Sequence, residues 1–200
     1  MEKKYKKITA SQFQEERKDD AEFQEMLKKK EKERLLKEKI LDEDAKNITL
    51  ELHKAGFPVD SVWDFVNTSH DYEEAIPILI KHLSYNYMER NKEGIVRALA
   101  VKKAKGKANA VLIEEYSKTP PERHYYRWAI GNTLNYIVTK DDIDKIIPIV
   151  LDKRNGDSRD MFIKALSKFK TEKVVETLKK LLDDNEVAPY ATKALQRIKK

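Results

Sequence analysis

The sequence predicts an all-α fold in which pairs of helices repeat along the chain and stack as a solenoid. The first observation is a phrase that recurs around Leu99, Leu134, Leu166 and Leu195, at intervals of 35, 32 and 29 residues. The second is the spacing of three and four residues between apolar positions, which is typical of amphipathic helices. Repeats of this length that contain two helical runs are typical of stacked helical repeat proteins.

The N-terminal region differs in composition from the rest. Residues 1–10 are charged and have little to bury, which predicts disorder. From residue 11 to 46 there is no proline or glycine, so we expect a long charged helix with Ser11 as its N-cap. Its apolar residues are sparse and hold no heptad register, which argues against an autonomous coiled coil. We assign residues 1–46 to a charged, partly mobile helical extension.

Residues 47–200 are predicted to form the helical repeat domain, with residues 47–84 as its irregular N-terminal cap. In the cap we expect three short helices, separated by Gly56 and by a turn at residues 67–70. The helices predicted for the repeats cover about residues 89–104, 108–117, 121–138, 141–153, 158–169, 172–183 and 187–199. One such helix cannot hide its apolar stripe alone, so neighbouring helices must stack to bury it.

The repeats share a sequence motif beyond their length. The motif is an apolar pair followed by Asp, then a basic residue, a small residue four before the leucine, and an Ala-Leu pair. Leu182-Asp183 with Ala191 and Ala194-Leu195 matches it, and so do Arg159 and Ala165-Leu166 in the preceding repeat. This motif resembles the HEAT-repeat family, including its short bacterial members, over about residues 72–200. The resemblance implies a right-handed α-α superhelix in which basic residues such as Arg127 tie adjacent repeats. It implies no particular function, because a fold does not carry one.

The cap also resembles, more faintly, a ubiquitin-associated three-helix domain. The similar positions are Leu52, Gly56-Phe57, Val62, Phe65, Glu74-Ala75 and Leu79-Ile80. The alternative is that these residues form an atypical terminal repeat, which helical repeat proteins commonly have.

Composition excludes several kinds of site. The chain has no cysteine, so a disulfide framework, a thiolate metal site and a cysteine nucleophile are excluded. The four histidines show no metal-ligand spacing, and no catalytic motif is present. No apolar run approaches the length of a membrane span. We therefore expect a cytoplasmic protein that is not an enzyme and has no cofactor, no bound metal and no membrane association.

The densest polar and aromatic cluster is Arg123-His124-Tyr125-Tyr126-Arg127-Trp128. Because Trp, Tyr and Arg dominate interface energies, we interpret it as a surface for another protein, one with acidic patches. A second contribution is expected from lysines on the inner row of helices. The predicted partner-binding residues are Arg123, His124, Arg127, Trp128, Lys179 and Lys180. In the alternative interpretation, Arg127 only ties repeats and Trp128 only fills a groove between them.

Nucleic-acid binding is the alternative function. It would use the lysine cluster Lys102, Lys103, Lys105 and Lys107. An enzymatic version would resemble HEAT-like DNA glycosylases, with Trp63-Asp64 as the aromatic and acidic pair beside an extruded base. The discriminating feature is charge geometry, because nucleic-acid binding requires the lysines to form a stripe with few carboxylates among them.

Overall fold

The computed structural model describes residues 9–199, and every regular element in this range is helical. The ten α-helices there are α1 Ala10–Glu16, α2 Ala21–Lys54, α3 Ile76–Leu83, α4 Glu89–Ala98, α5 Asn109–Lys118, α6 His124–Ile137, α7 Ile143–Leu151, α8 Asp160–Leu166, α9 Glu172–Lys180 and α10 Ala188–Lys199. The prediction of an all-α chain is confirmed. Disorder was predicted for residues 1–10, and this was wrong for the last two, because Thr9 caps α1 and Ala10 begins it. Residues 1–8 lie outside the described residues.

The chain divides after Glu43 into two compact units. In the first unit, the single helix predicted over residues 11–46 is interrupted between α1 and α2. The interruption arises because Asp20 caps a new helix, its carboxylate accepting the Phe23 amide at 3.0 Å. The rings of Phe13 and Phe23 meet edge to face at 5.7 Å across this turn. Thr9, and not Ser11, caps α1.

Helix α2 runs without interruption through Asn47, where we had predicted a new helix to begin. No proline or glycine breaks it, and Ala45, Ile48 and Leu52 form a buried stripe along its last turns. Gly56, with φ of 88°, ends this segment in a conformation that favours glycine. Although α2 is 34 residues long, neither it nor another helix of the described range is apolar enough to cross a membrane.

The cap contains less α-helix than predicted. The helix expected after Pro58 is only a 3-10 turn, Val62–Phe65, capped by Ser61. A second 3-10 turn, Glu73–Ala75, leads into α3. The middle α-helix of a three-helix domain is therefore missing from residues 47–84, which speaks against the ubiquitin-associated resemblance.

The helices after residue 75 pack in two alternating sets. Helices α4, α6, α8 and α10 contact one another in succession. Each also packs against the helix before it, giving the pairs α3–α4, α5–α6, α7–α8 and α9–α10. Within the other set, α3 contacts α5 and α7 contacts α9. One continuous apolar core, from Ala45 to Ala194, lies between these helices.

Gly131 allows α8 to lie directly on α6. A Cβ atom at this position would be 3.0 Å from Met161 Cβ and 3.1 Å from the Phe162 ring. Such contacts are tighter than packed side chains normally make, so only glycine fits without a shift. The space beside Gly131 is therefore filled by side chains of α8.

Basic side chains recur at the repeat position seven residues before Leu99, Leu134 and Leu166. We call Lys92, Arg127 and Arg159 the basic ladder. Lys92 Nζ donates to Glu115 at 2.6 Å. The Arg127 guanidinium donates to the Thr119 carbonyl at 3.2 Å and to Asn155 Oδ1 at 2.5 Å.

The ladder is most complete at Arg159, whose side chain is fully buried. Its guanidinium donates to Asp184 at 2.8 Å, to Glu186 at 2.7 Å and to the Gly156 carbonyl at 2.7 Å. Burial lowers the pKa of Arg159, but the hydrogen bonds from the two carboxylates outweigh burial and the net shift is upward. Each cation of the ladder thus bonds to groups supplied by residues further along the chain.

The pair between Arg159 and Asp184 predicts sensitivity to acid. The hydrogen bond from Arg159 holds the pKa of Asp184 below its ordinary value of 3.8. The pair therefore stabilises the fold above that value, and its contribution is lost as the pH falls through the lower pKa of the folded state. We expect Asp184→Asn to reduce stability at neutral pH and to weaken the loss of stability below about pH 4, measured by urea unfolding across that range. Asp183→Asn, a change at the exposed neighbour, should retain the wild-type profile. Parallel profiles for wild type and Asp184→Asn would contradict this role.

Candidate protein-binding surface

Helix α6 carries its aromatic side chains on two faces. Its core face comprises Tyr126, Ile130, Leu134 and Ile137, and all four are buried as the helical spacing predicts. Its outer face presents Tyr125, Trp128 and Tyr136, with 87%, 38% and 52% of their surfaces exposed. Large aromatic side chains at this exposure are available to a binding partner.

Tyr125 and Trp128 line a groove with side chains from the following repeat. The groove has a volume of about 390 Å³. Its lining comprises His124, Tyr125, Trp128, Asp157, Ser158, Asp160 and Tyr190. Arg97 lies 5.8 Å from the centre of the Trp128 ring. Within the described part of the chain no hydrogen bond uses the indole N–H of Trp128, so this donor is available to a partner.

A second groove, of about 350 Å³, adjoins the first. Its lining comprises Asp160, Met161, Lys164, Ser167, Tyr190, Lys193, Ala194 and Arg197. Asp160 and Tyr190 belong to both grooves. We call the joined region the α6–α8–α10 surface. It is aromatic at the α6 end and basic at the end formed by Lys164, Lys193 and Arg197.

Positive charge is crowded at the basic end. Lys168, just beyond α8, donates to the carbonyl oxygen of Asn135 on α6. Partial burial lowers the pKa of Lys168, and the neighbouring charges of Arg197, Lys105 and Lys164 lower it further. No carboxylate contributes to this shift. A negatively charged partner would therefore relieve repulsion within the protein itself.

Two carboxylates line the aromatic groove, and one of them, Asp160, also lines the basic groove. Burial raises the pKa of Asp160, and the charge of Asp157 raises it further, while the Met161 amide and Lys164 oppose this shift. Asp157 and Asp160 would therefore repel a ligand that carries negative charge along its whole length into the aromatic groove. The surface is thus suited to a ligand that has its apolar groups at one end and its negative charge at the other.

The structure separates the residues that we predicted for partner binding. His124 and Trp128 line the aromatic groove. Arg123 is half-exposed, forms an ion pair with Glu89 and lies 5.0 Å from the centre of the Tyr126 ring. Arg127 is only 3% exposed, is part of the basic ladder and lines neither groove of the α6–α8–α10 surface.

Lys179 and Lys180 are exposed, but they lie on α9 in the other set of helices. They do not line either groove of the α6–α8–α10 surface. The contribution of side chains from α8 and α10 to this surface was not predicted from the sequence. Their exposed positions recur at spacings of three and four, at residues 161, 164 and 168 and at residues 190, 193 and 197. This outer periodicity was the signal that could have identified them.

The lysines predicted for nucleic-acid binding do not remain one cluster. Lys103 and Lys107 both donate to Glu73, at 2.5 and 3.0 Å. These hydrogen bonds lower the pKa of Glu73. Lys102 is exposed, and Lys105 contributes to the positive field at Lys168. Glu73 therefore offsets part of the predicted lysine charge.

Trp63 and Asp64 have structural contacts. The Trp63 indole donates to the Arg90 carbonyl at 3.2 Å, and the Arg90 guanidinium lies 3.6 Å from the ring centre. Asp64 accepts the backbone amides of Asp60 and Ser61 at 2.9 and 3.0 Å. Trp63 thus packs against Arg90 on α4, and Asp64 caps the 3-10 turn that contains it. Within residues 9–199 no three His, Asp or Glu side chains converge in a way that could hold a metal ion.

Comparisons with protein-family models, with curated proteins and with solved structures found no match for this chain. Any function must therefore be argued from the geometry and charge of its own residues.

Charge crowding at Lys168 predicts that removing this charge stabilises the fold. We expect Lys168→Gln to raise the thermal midpoint at low ionic strength, because the amide can still donate to Asn135 without adding to the repulsion. The difference should shrink in about 1 M salt, where the screening length falls to about 3 Å. Lys145→Gln, at an exposed position on α7, is the matched control and should leave the midpoint unchanged. A lower midpoint for Lys168→Gln at low salt would show that its charge is compensated.

Proposed function

We propose that this protein is a non-catalytic binding module built on a HEAT-like solenoid, and that it binds another protein through the α6–α8–α10 surface. The partner segment carries an apolar or aromatic group for the aromatic groove and acidic side chains for the basic end. The observation that carries the proposal is the joining of the two grooves through Asp160 and Tyr190. A chain without cysteine suits a reducing compartment, and we expect it to act in the cytoplasm.

Two features support the solenoid. The alternating contacts of α3 to α10 are those of helix pairs stacked side by side. The basic ladder recurs with the leucine repeat, and its cations bond forward along the chain. In a solenoid, side chains from successive repeats align on one surface, which is how α6, α8 and α10 can contribute to a single binding region.

Exposure and charge support a protein partner. Trp128 and Tyr125 offer the residue types that contribute most to interface energies, and the basic end offers charge matching that accelerates association. Asp157 lines the aromatic groove and Asp160 lines both grooves, where they would repel the backbone of a nucleic acid that crossed the whole surface.

Nucleic-acid binding is the second candidate, supported by the cations grouped around Lys168. The charges of Arg197, Lys105 and Lys164 act on Lys168, and no carboxylate is among the influences on it. A single strand could follow this group with its phosphates. Lys103 and Lys107 are paired with Glu73, so they offer less positive charge to such a strand.

The test is capture of partners from the native cell by wild-type and variant proteins. Trp128→Ala removes the aromatic anchor, and we expect recovery of a specific protein partner to fall about tenfold or more, as for an interface hot spot. Tyr136→Ala is the matched control, since Tyr136 is exposed on the same helix but lines neither groove. Lys164→Glu with Arg197→Glu should also weaken capture, and Lys179→Glu with Lys180→Glu should not.

Each sample is also treated with nuclease. Loss of every captured partner after nuclease, together with binding of a labelled single-stranded oligonucleotide that Lys168→Gln weakens, would favour the nucleic-acid function. Equal capture by wild type and Trp128→Ala, with both folded, would contradict the proposed surface.

A further inference from the structure

The middle cation of the basic ladder differs from the other two in its partners. Lys92 pairs with Glu115, and Arg159 pairs with Asp184 and Glu186. Arg127 is 3% exposed and Arg159 is fully buried, but the groups that accept the hydrogen bonds of Arg127 are neutral. Its Nε–H is buried and has no hydrogen-bond partner, and its guanidinium carbon lies 4.1 Å from the centre of the Tyr116 ring. A buried cation that has no ion-pair partner is costly, which sets Arg127 apart as a group that is ready to receive an anion.

The nearby carboxylate, Asp152, is hydrogen-bonded to Arg154 and not to Arg127. The hydrogen bonds from Arg154 lower the pKa of Asp152, and the charge of Arg127 lowers it further. Asp152 stands 32 residues before Asp184, at the corresponding place in the preceding repeat. Its two oxygens accept hydrogen bonds from Arg154, at 3.0 Å from Nε and 2.8 Å from Nη2. Arg154 in turn stands where the next repeat has Glu186. Because Arg154 stands in place of an acidic residue, Arg127 has no counterpart of Glu186. Arg154 also pairs with Asp152, which is the counterpart of Asp184.

A cavity of about 440 Å³ lies against Arg127. Residues of α5, α6 and α7 and of the loops that follow α5 and α7 line it. They are Tyr116, Ser117, Lys118, Thr119, Pro120, Pro121, Arg127, Pro148, Ile149, Asp152, Arg154 and Asn155. The cavity shares no lining residue with the α6–α8–α10 surface.

The charges around the cavity determine which net charge a ligand should carry. Arg154 and Asp152 neutralise each other, as do Lys118 and Glu114 on the rim. Among the cations that line the cavity, Arg127 has no ion pair with the described residues, so the net charge of the lining matches a single negative charge and not a dianion. Pro120, Pro121, Pro148 and Ile149 supply apolar walls beside it.

We propose that this cavity is a binding site for a carboxylate with a small apolar body, recognised by Arg127. The guanidinium has five N–H donors, and two hydrogen bonds to protein acceptors leave three for the ligand. A planar carboxylate can accept two of them side by side. The group is supplied either by the C-terminal residue of a peptide or by a small aliphatic acid, since both present the same chemistry.

The test follows the Arg127 Nε–H resonance by ¹⁵N NMR while calorimetry measures affinity. The probes are N-acetyl-L-leucine, its amide, butyrate and inorganic phosphate. We expect both carboxylates to shift the resonance, and the amide and phosphate to leave it in place. Tighter binding of N-acetyl-L-leucine supports a peptide terminus, and equal binding supports a free acid. A resonance that no carboxylate moves, or that the amide moves equally, would overturn the site.

Asn155→Asp provides the second arm, because it gives Arg127 a carboxylate from within the chain. We expect this variant to remain folded and to bind the carboxylate probes at least about tenfold more weakly, a loss of about 1.4 kcal/mol. Asn185→Asp adds the same charge in the loop before α10 and should bind as wild type does. Wild-type affinity in Asn155→Asp would show that the probes bind elsewhere.

Discussion

Burying the Arg159 guanidinium removes its hydration, and carboxylates placed within hydrogen-bond distance offset that cost. Asp184 and Glu186 supply them from the segment before α10. Gly156, with φ of 58°, shapes the turn whose carbonyl receives the third hydrogen bond. These bonds leave little freedom in how α8 and α10 lie against each other. The two grooves that share Tyr190 depend on this alignment, so the buried cation links the packing of the repeats to the candidate binding surface.

The helical nature and the core of the chain followed from the sequence, because apolar spacing reports directly which faces must be buried. Leu134 and Leu166 are fully buried as the repeat requires. The ends of the helices were harder to predict from the sequence. The break before α2 depends on a capping carboxylate at Asp20, and the continuity of α2 through Asn47 depends on packing around Ile48. The short turn at Val62 likewise depends on tertiary contacts, because helix propensity alone does not distinguish a 3-10 turn from an α-helix.

The binding surface was predicted only in part. His124 and Trp128 stand out because aromatic and basic residues adjoin in the sequence. The contributions of Tyr190 and Lys164 lie in other repeats, and only the stacking brings them beside Trp128. In the sequence Arg127 fits two interpretations, because it is both a basic residue in an aromatic cluster and a residue at the ladder position. Its burial agrees with the ladder position. Pairing partners such as Glu73 and Asp152 were invisible, because they depend on side-chain geometry across repeats.

A double-mutant cycle between Arg159 and Asp184 tests most directly whether buried cations tie successive repeats. The free energy of unfolding in urea is measured for wild type, Arg159→Met, Asp184→Asn and the double variant. Residues that share a buried ion pair should couple, and we expect an interaction energy of about 1 kcal/mol or more, with the double variant less destabilised than the sum of the single changes. Additive losses, within about 0.3 kcal/mol, would contradict the ladder as the link between repeats.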